Sequence, residues 1–94
     1  MTLSELGWGH FFEKQIEDYE ADYMPARIFR QDINQYHLIS TNGIFQGILP
    51  GRLRHAAYSK ADLPTVGDWV LTSPIAGGEA HTVQIERCLE RKSR

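Results

Sequence analysis

The segment QYHLISTNGIFQGIL, residues 35–49, does more than any other to limit what this chain folds into. Two stretches rich in β-branched and aromatic residues flank Asn42-Gly43, a pair that tolerates positive φ and is the strongest short signal for a β-hairpin. The same texture runs on either side of it. ARIFRQ (26–31) reads as a first strand and DINQ as a turn, with QYHLIST (35–41) and IFQGIL (44–49) as strands two and three. Gly47, inside the third, suggests a bulge or a sharp bend. GRLRH (51–55) reads as a further extended segment, and the polar stretch AAYSKADLP after it has room for a short helical turn. VGDWVLTS (66–73) and AHTVQIERCLE (80–90) supply strands four and five across a turn at Gly77-Gly78.

Ahead of these strands, Leu6, Trp8, Phe11, Phe12, Ile16, Tyr19 and Tyr23 recur near the spacing of a helical turn. This predicts one amphipathic helix with Ser4 as N-cap, weakened in its first turn by Gly7 and Gly9 and ended by Pro25. Its aromatic stripe is expected to pack on the body of the domain. The expected fold class is all-β, a small five-stranded OB-fold Greek-key barrel of antiparallel strands preceded by an N-terminal amphipathic helix, with an SH3-like barrel as competitor. The expected organisation is an acidic helix over 1–24, the barrel over 25–90, and the start of a linker at 91–94.

Ninety-four residues suffice for one small core, not for two domains with a cleft between them. No apolar run approaches the roughly 20 residues that span a bilayer, so no membrane partner is expected, and the expectation is a cytoplasmic monomer. Cys88 has no second cysteine to pair with and reads as a small packed hydrophobe. His10, His37, His55 and His81 lack metal-ligand spacing, and no metal site is expected. Phosphate-loop, nucleophile-elbow, zinc-protease and EF-hand patterns are absent, and Asp32, Asp62 and Asp68 all fall in or beside turns. No catalytic residue is expected in the chain.

Charge is unevenly placed. Residues 1–24 carry Lys14 against six carboxylates, whereas from Pro25 onward nine Lys and Arg face six Asp and Glu. In an extended GRLRH, Arg52 and Arg54 share one side and Leu53 takes the other. Arg27, His37 and Lys60 extend that basic surface, with Phe29, Tyr36, Phe45 and Tyr58 as stacking candidates for RNA bases. A solvated basic edge that blocks strand-to-strand association explains the pattern equally well. LPTVGDWV (63–70) reads as scaffold, with Val66 and Val70 on one face and Asp68 tying down loop amides at a turn permitted by Gly67.

The order PAR (25–27), Tyr36, GRLRH, LPTVGDWV and a final LERKSR resembles the N-terminal OB-fold domain of the ribosome-small-subunit-dependent GTPase family, the RsgA/YjeQ type. LGW (6–8) resembles the short segment that precedes the barrel in that family, and LERKSR resembles its LPRKS lead into the GTPase domain, with Glu90 where the family has proline. The resemblance implies a protein that acts late in maturation of the small ribosomal subunit, with this domain helping to seat it on ribosomal RNA. Partners implied are the small subunit, its ribosomal RNA, and the protein's own GTPase domain. GTP, magnesium and zinc are expected only in sequence beyond these residues. Arg52, Arg54 and His55 match the family motif and become the expected RNA contacts, joined on pattern alone by Arg27, Lys60 and Tyr36. The alternative is that Glu13, Glu17 and Asp18 of the acidic helix contact the GTPase domain in a regulatory role.

Overall fold

The computed structural model of the chain describes residues 2, 4–33, 35–56 and 63–89. Five strands, β1 (Met24–Gln31), β2 (Tyr36–Ser40), β3 (Gly43–Ile48), β4 (Trp69–Pro74) and β5 (Thr82–Cys88), close into a barrel in the order β1-β2-β3-β5-β4. Two short helices accompany them, α1 (His10–Glu13) and α2 (Gly51–Ala56). This is the OB-like all-β barrel expected, with one correction that parity requires. Strand direction cannot alternate all the way round a ring of five, so one neighbouring pair must run parallel. That pair is β3 with β5, joined through Gln46↔Thr82, Gly47↔Val83 and Ile48↔Gln84.

Alternation along the strands builds the core. Ala26 and Ile28, Tyr36 and Leu38, Val83 and Ile85 point inward two residues apart and pack with Leu49 and Val70. The hairpin forms where expected, but Thr41 and Asn42 are its loop and Gly43 is the residue at positive φ, 117°. Gly47 makes no bulge. A Cβ there would stand 2.8 Å from Leu38 Cδ1 and 3.3 Å from Ile85 Cδ1, so glycine serves close packing inside the barrel. The register instead shifts in β1 between Ile28 and Arg30 and in the β4–β5 ladder between Leu71 and Thr72.

Unlike its neighbours, β4 is buried on both sides. Val70 and Thr72 face the interior, while Trp69 and Leu71 form a second cluster with Phe12 and Leu89 under Leu6, Trp8, Phe11, Ile16 and Tyr23. The aromatic stripe therefore packs on the barrel, with Tyr19, 76% exposed, as its exception. It does so without the single helix expected. Residues 4–6 and 18–20 are 3-10 turns on either side of α1, and the first of the two breaks lies at glycine. Gly7 holds φ at 100° and Gly9 is fully extended, its carbonyl accepting from Phe12 and Glu13 amides at 3.0 and 3.1 Å. The first turn is closed by Thr2, whose Oγ1 accepts from the Glu5 amide at 3.3 Å, while the side chain of Ser4 lies outside the described residues. Glu5 Oε1 accepts from the Thr2 amide at 2.8 Å, and this bond holds the Glu5 carboxyl below its usual range.

A charge contact fastens this segment further. Glu20, 2% exposed, lies 3.0 Å from Arg87 Nε on β5, an approach that lacks the alignment of a hydrogen bond, and another Arg87 nitrogen donates to the Gln15 carbonyl. Bent into short turns, residues 4–20 reach from the β4 face to β5.

LPTVGDWV is scaffold, though not with the faces expected. Val66 is exposed in a turn rather than paired with Val70 in the core, because the strand starts only at Trp69. Gly67 takes φ 97°, and Asp68 Oδ2 accepts from the Thr65 amide at 3.0 Å, as expected of a turn carboxylate. Gly67 and Asp68 also bond the backbone of Ile28, fixing the turn beside the irregular point in β1. Cys88 packs against the barrel core.

Candidate nucleic-acid interface

GRLRH is a helix, not an extended segment. Within α2 the Leu53 amide bonds the Pro50 carbonyl at 3.1 Å, and Leu53 packs on the core from the end of the barrel where β3 leaves it. Consecutive helical residues are turned about 100° from each other, so positions 52 and 54 no longer share a side. Arg52 reaches back to β5, its Nη2 2.6 Å from Glu86 Oε1. The same carboxylate accepts from Ser73 Oγ at 2.5 Å and Gln84 Nε2 at 3.1 Å. Arg52 thus ties the helix to the sheet while keeping over half of its side chain in solvent.

Arg27 does not extend this surface. Its guanidinium donates to the Leu6 carbonyl at 2.6 Å and to the Gly67 carbonyl at 3.3 Å, binding the N-terminal segment to the β4 turn. A Cβ at Gly7 would meet that guanidinium at 2.7 Å, which explains a glycine there. Tyr36 is 6% exposed and belongs to the core, so its ring is not available to stack on a base. The side chains of Arg54 and His55, and Tyr58, Lys60, Asp62 and residues 90–94, lie outside the described residues.

A different surface assembles itself on the outside of β1, β2 and β3. The ladders set Arg30, His37, Gln46 and Thr82 side by side across four strands. His37 Nε2 and Asp32 Oδ2 lie 2.7 Å apart, Arg30 Nε is 3.5 Å from the other Asp32 oxygen, and the exposed Phe29 ring tilts toward His37 at 6.1 Å. The bond to His37 holds the Asp32 carboxyl below the usual carboxylate range, with the Arg30 charge adding to it. Next to this row Ile39 pairs with Ile44, and Ile44 is 58% exposed. In OB barrels the face of strands 2 and 3, between the loop joining strands 1 and 2 and the loop joining strands 4 and 5, is where oligonucleotides lie.

Sequence reasoning found Phe29 and His37 but missed Arg30 and Gln46. The signal existed in the register, since the break between Ile28 and Arg30 brings Arg30 opposite His37. Every basic side chain among the described residues is already engaged: Lys14 over the Phe11 ring, Arg27 on carbonyls, and Arg30, Arg52 and Arg87 on carboxylates. Only the Arg30 and Arg52 ion pairs are exposed enough to exchange their carboxylate for a phosphate at small cost.

No family model matches the chain. Among proteins of known name it is 38% identical over 95 residues to the small ribosomal subunit biogenesis GTPase RsgA of Syntrophotalea carbinolica, covering 99% of this chain and 25% of that protein. The RsgA 2 protein of Vibrio vulnificus is 37% identical over 94 residues, covering 98% of this chain and 22% of its own length. The RsgA of Mesorhizobium japonicum is 30% identical over 92 residues, with 98% and 23% covered. The chain spans about a quarter of the length of these relatives. Similarity across the whole chain at this level, on an OB-like barrel, places it in the RsgA family of small ribosomal subunit biogenesis GTPases, as the counterpart of their N-terminal domain.

Proposed function

We propose that this domain seats an RsgA-type GTPase on the small ribosomal subunit by contacting ribosomal RNA through the outer face of β1–β3, with α2 at its edge. The observation that carries the reading is the row Arg30–His37–Gln46 beside an exposed Phe29 ring, on a sheet face that no other part of the described chain covers. Arg30 and His37 offer donors to phosphate, Gln46 offers an amide to a base edge or ribose, and the ring offers a stacking surface. Arg52, with Arg54 and His55 from the same helix, is assigned the flanking phosphate contacts. Chemistry on GTP, with its magnesium and with zinc, is assigned to sequence outside the matched quarter, and the domain itself is assigned no catalysis and no cofactor.

The test is salt dependence. Each phosphate contact adds about 0.9 to the log–log slope of affinity against salt for a duplex, or about 0.7 for a single strand. Arg30→Ala and the Arg52→Ala/Arg54→Ala pair are each expected to flatten the slope for small-subunit binding. Variants that follow the parent at every salt concentration would end the proposal.

One observation favours a second reading, contact with the GTPase domain of the same protein. Glu17, Asp18 and Tyr19 form an exposed corner that the barrel leaves unused. Under that reading Asp18→Asn/Tyr19→Ala changes GTP hydrolysis by the full-length protein without ribosomes present, and an unchanged rate excludes it.

A further inference from the structure

The barrel has two ends, and among the described residues only one is plugged. The loop joining β1 to β2 and helix α2 lie at the end where β3 finishes, and Leu53 fills it. At the opposite end the β2–β3 turn, the β4–β5 loop and the start of β1 surround an open mouth containing a cavity of about 320 Å³. That volume is at the lower limit for a specific ligand site and suits a side chain rather than a nucleotide. Its wall is apolar, formed by Met24, Phe45, Ile75 and Val83, and two carboxylates, Asp22 and Glu79, stand at its rim. Among the described residues no lysine or arginine lines it. Neither rim carboxylate has a hydrogen-bond or ion-pair partner among the described residues, whereas those of Glu13, Glu20, Asp32, Asp68 and Glu86 do.

We propose that the mouth of the barrel is a binding site for an arginine side chain presented by a basic polypeptide, separate from the RNA-facing sheet. The methylene stem of arginine matches the Met24 and Val83 wall, and its planar guanidinium stacks on the half-buried Phe45 ring and donates to the rim carboxylates. RNA is the wrong occupant, because Asp22 and Glu79 repel phosphate. A metal ion is equally unsuited: among the described residues no group of three or more His, Cys, Asp or Glu is placed to hold one. Arginine fits better than lysine because a compact ammonium neither forks across carboxylate oxygens nor stacks as a plane.

The experiment is a titration of the isotope-labelled 94-residue chain with three capped tripeptides, Gly-Arg-Gly, Gly-Lys-Gly and Gly-citrulline-Gly, followed through backbone amide shifts. Citrulline keeps the shape of arginine and removes its charge. Saturable shifts are expected at Met24, Asn42, Phe45 and Val83, with the arginine peptide binding more tightly than the lysine peptide and about tenfold or more tighter than the citrulline peptide. The Asp22→Asn/Glu79→Gln variant, changed only at exposed positions, is expected to lower arginine affinity by a similar factor. Citrulline binding within about twofold of arginine, shifts confined to the outer face of β1–β3, or no saturable shift at the solubility limit would each overturn the proposal.

Discussion

Two outer faces of the same barrel have been treated in opposite ways. On β4, Trp69 and Leu71 are sealed beneath Trp8 and Phe12, with the two tryptophan rings edge to face at 4.9 Å. On β2 and β3 the outward residues Ile39, Ile44 and Gln46 carry no such cover. Composition does not separate the faces, for both hold large apolar side chains. What separates them is the chain itself, which bends residues 4–20 over one face and fastens them with Arg27 and Arg87 while leaving the other to solvent. The lesson is that an aromatic stripe and a charged residue near an N-terminus are read as scaffold when the same molecule consumes them, and that a contact surface is what remains.

The comparison breaks most visibly at Trp69. Trp69→Ala should cost about 3–5 kcal/mol, since it removes the ring on which Trp8 and Phe12 rest. Ile44→Ala on the bare face should stay within about 0.5 kcal/mol. Urea unfolding followed by circular dichroism checks both, and comparable losses would mean the faces are not distinct. A smaller loss, about 2 kcal/mol, is expected for Glu20→Ala, because Arg87 keeps partial access to water and does not become a fully buried unpaired charge. Asp68→Ala removes a turn bond to the Thr65 amide and should cost about 1 kcal/mol with RNA affinity unchanged.

How much of this was legible in the sequence follows from how local each signal is. Strands declare themselves through alternation, so β1, β2, β3 and β5 were readable within a residue or two at most ends. The N-terminal segment was misread as one helix because periodicity reports which residues face inward, not whether the backbone between them is continuous. At the first break Gly7 decides the latter, through a positive φ and a close approach to Arg27 that only the folded chain reveals. GRLRH was misread for a related reason: six residues are too few for either period to declare itself, and the apolar anchor Leu53 fits both. The candidate site was the least legible part. Arg27 and Tyr36 looked available as residue types, yet one is spent on backbone carbonyls and the other lies in the core. Arg30 became a candidate only through a register shift that no single strand encodes.

The smallest expected effect gives the sharpest test of the bare face. Asp32 sits between His37 and Arg30, and its carboxyl titrates below the ordinary value near 3.9, chiefly through the His37 bond. A depressed carboxyl contributes its order above the unfolded pKa and loses it as pH falls through the folded one, so the arrangement holds at neutral pH and loosens only in acid. Carbon-detected titration of Asp32 should show the low midpoint, and His37→Ala should return it toward the ordinary value. In the RNA-facing reading, Asp32 competes with phosphate for Arg30 and His37 at neutral pH. Asp32→Asn frees both, so affinity for the small subunit should rise about two- to threefold, opposite in sign to Arg30→Ala, while the urea midpoint falls only slightly, as loss of an exposed ion pair requires. If Asp32 serves only to order the loop after β1, the same substitution lowers affinity or leaves it unchanged. The sign of one substitution therefore separates a face kept bare for an anion from a face that is merely uncovered.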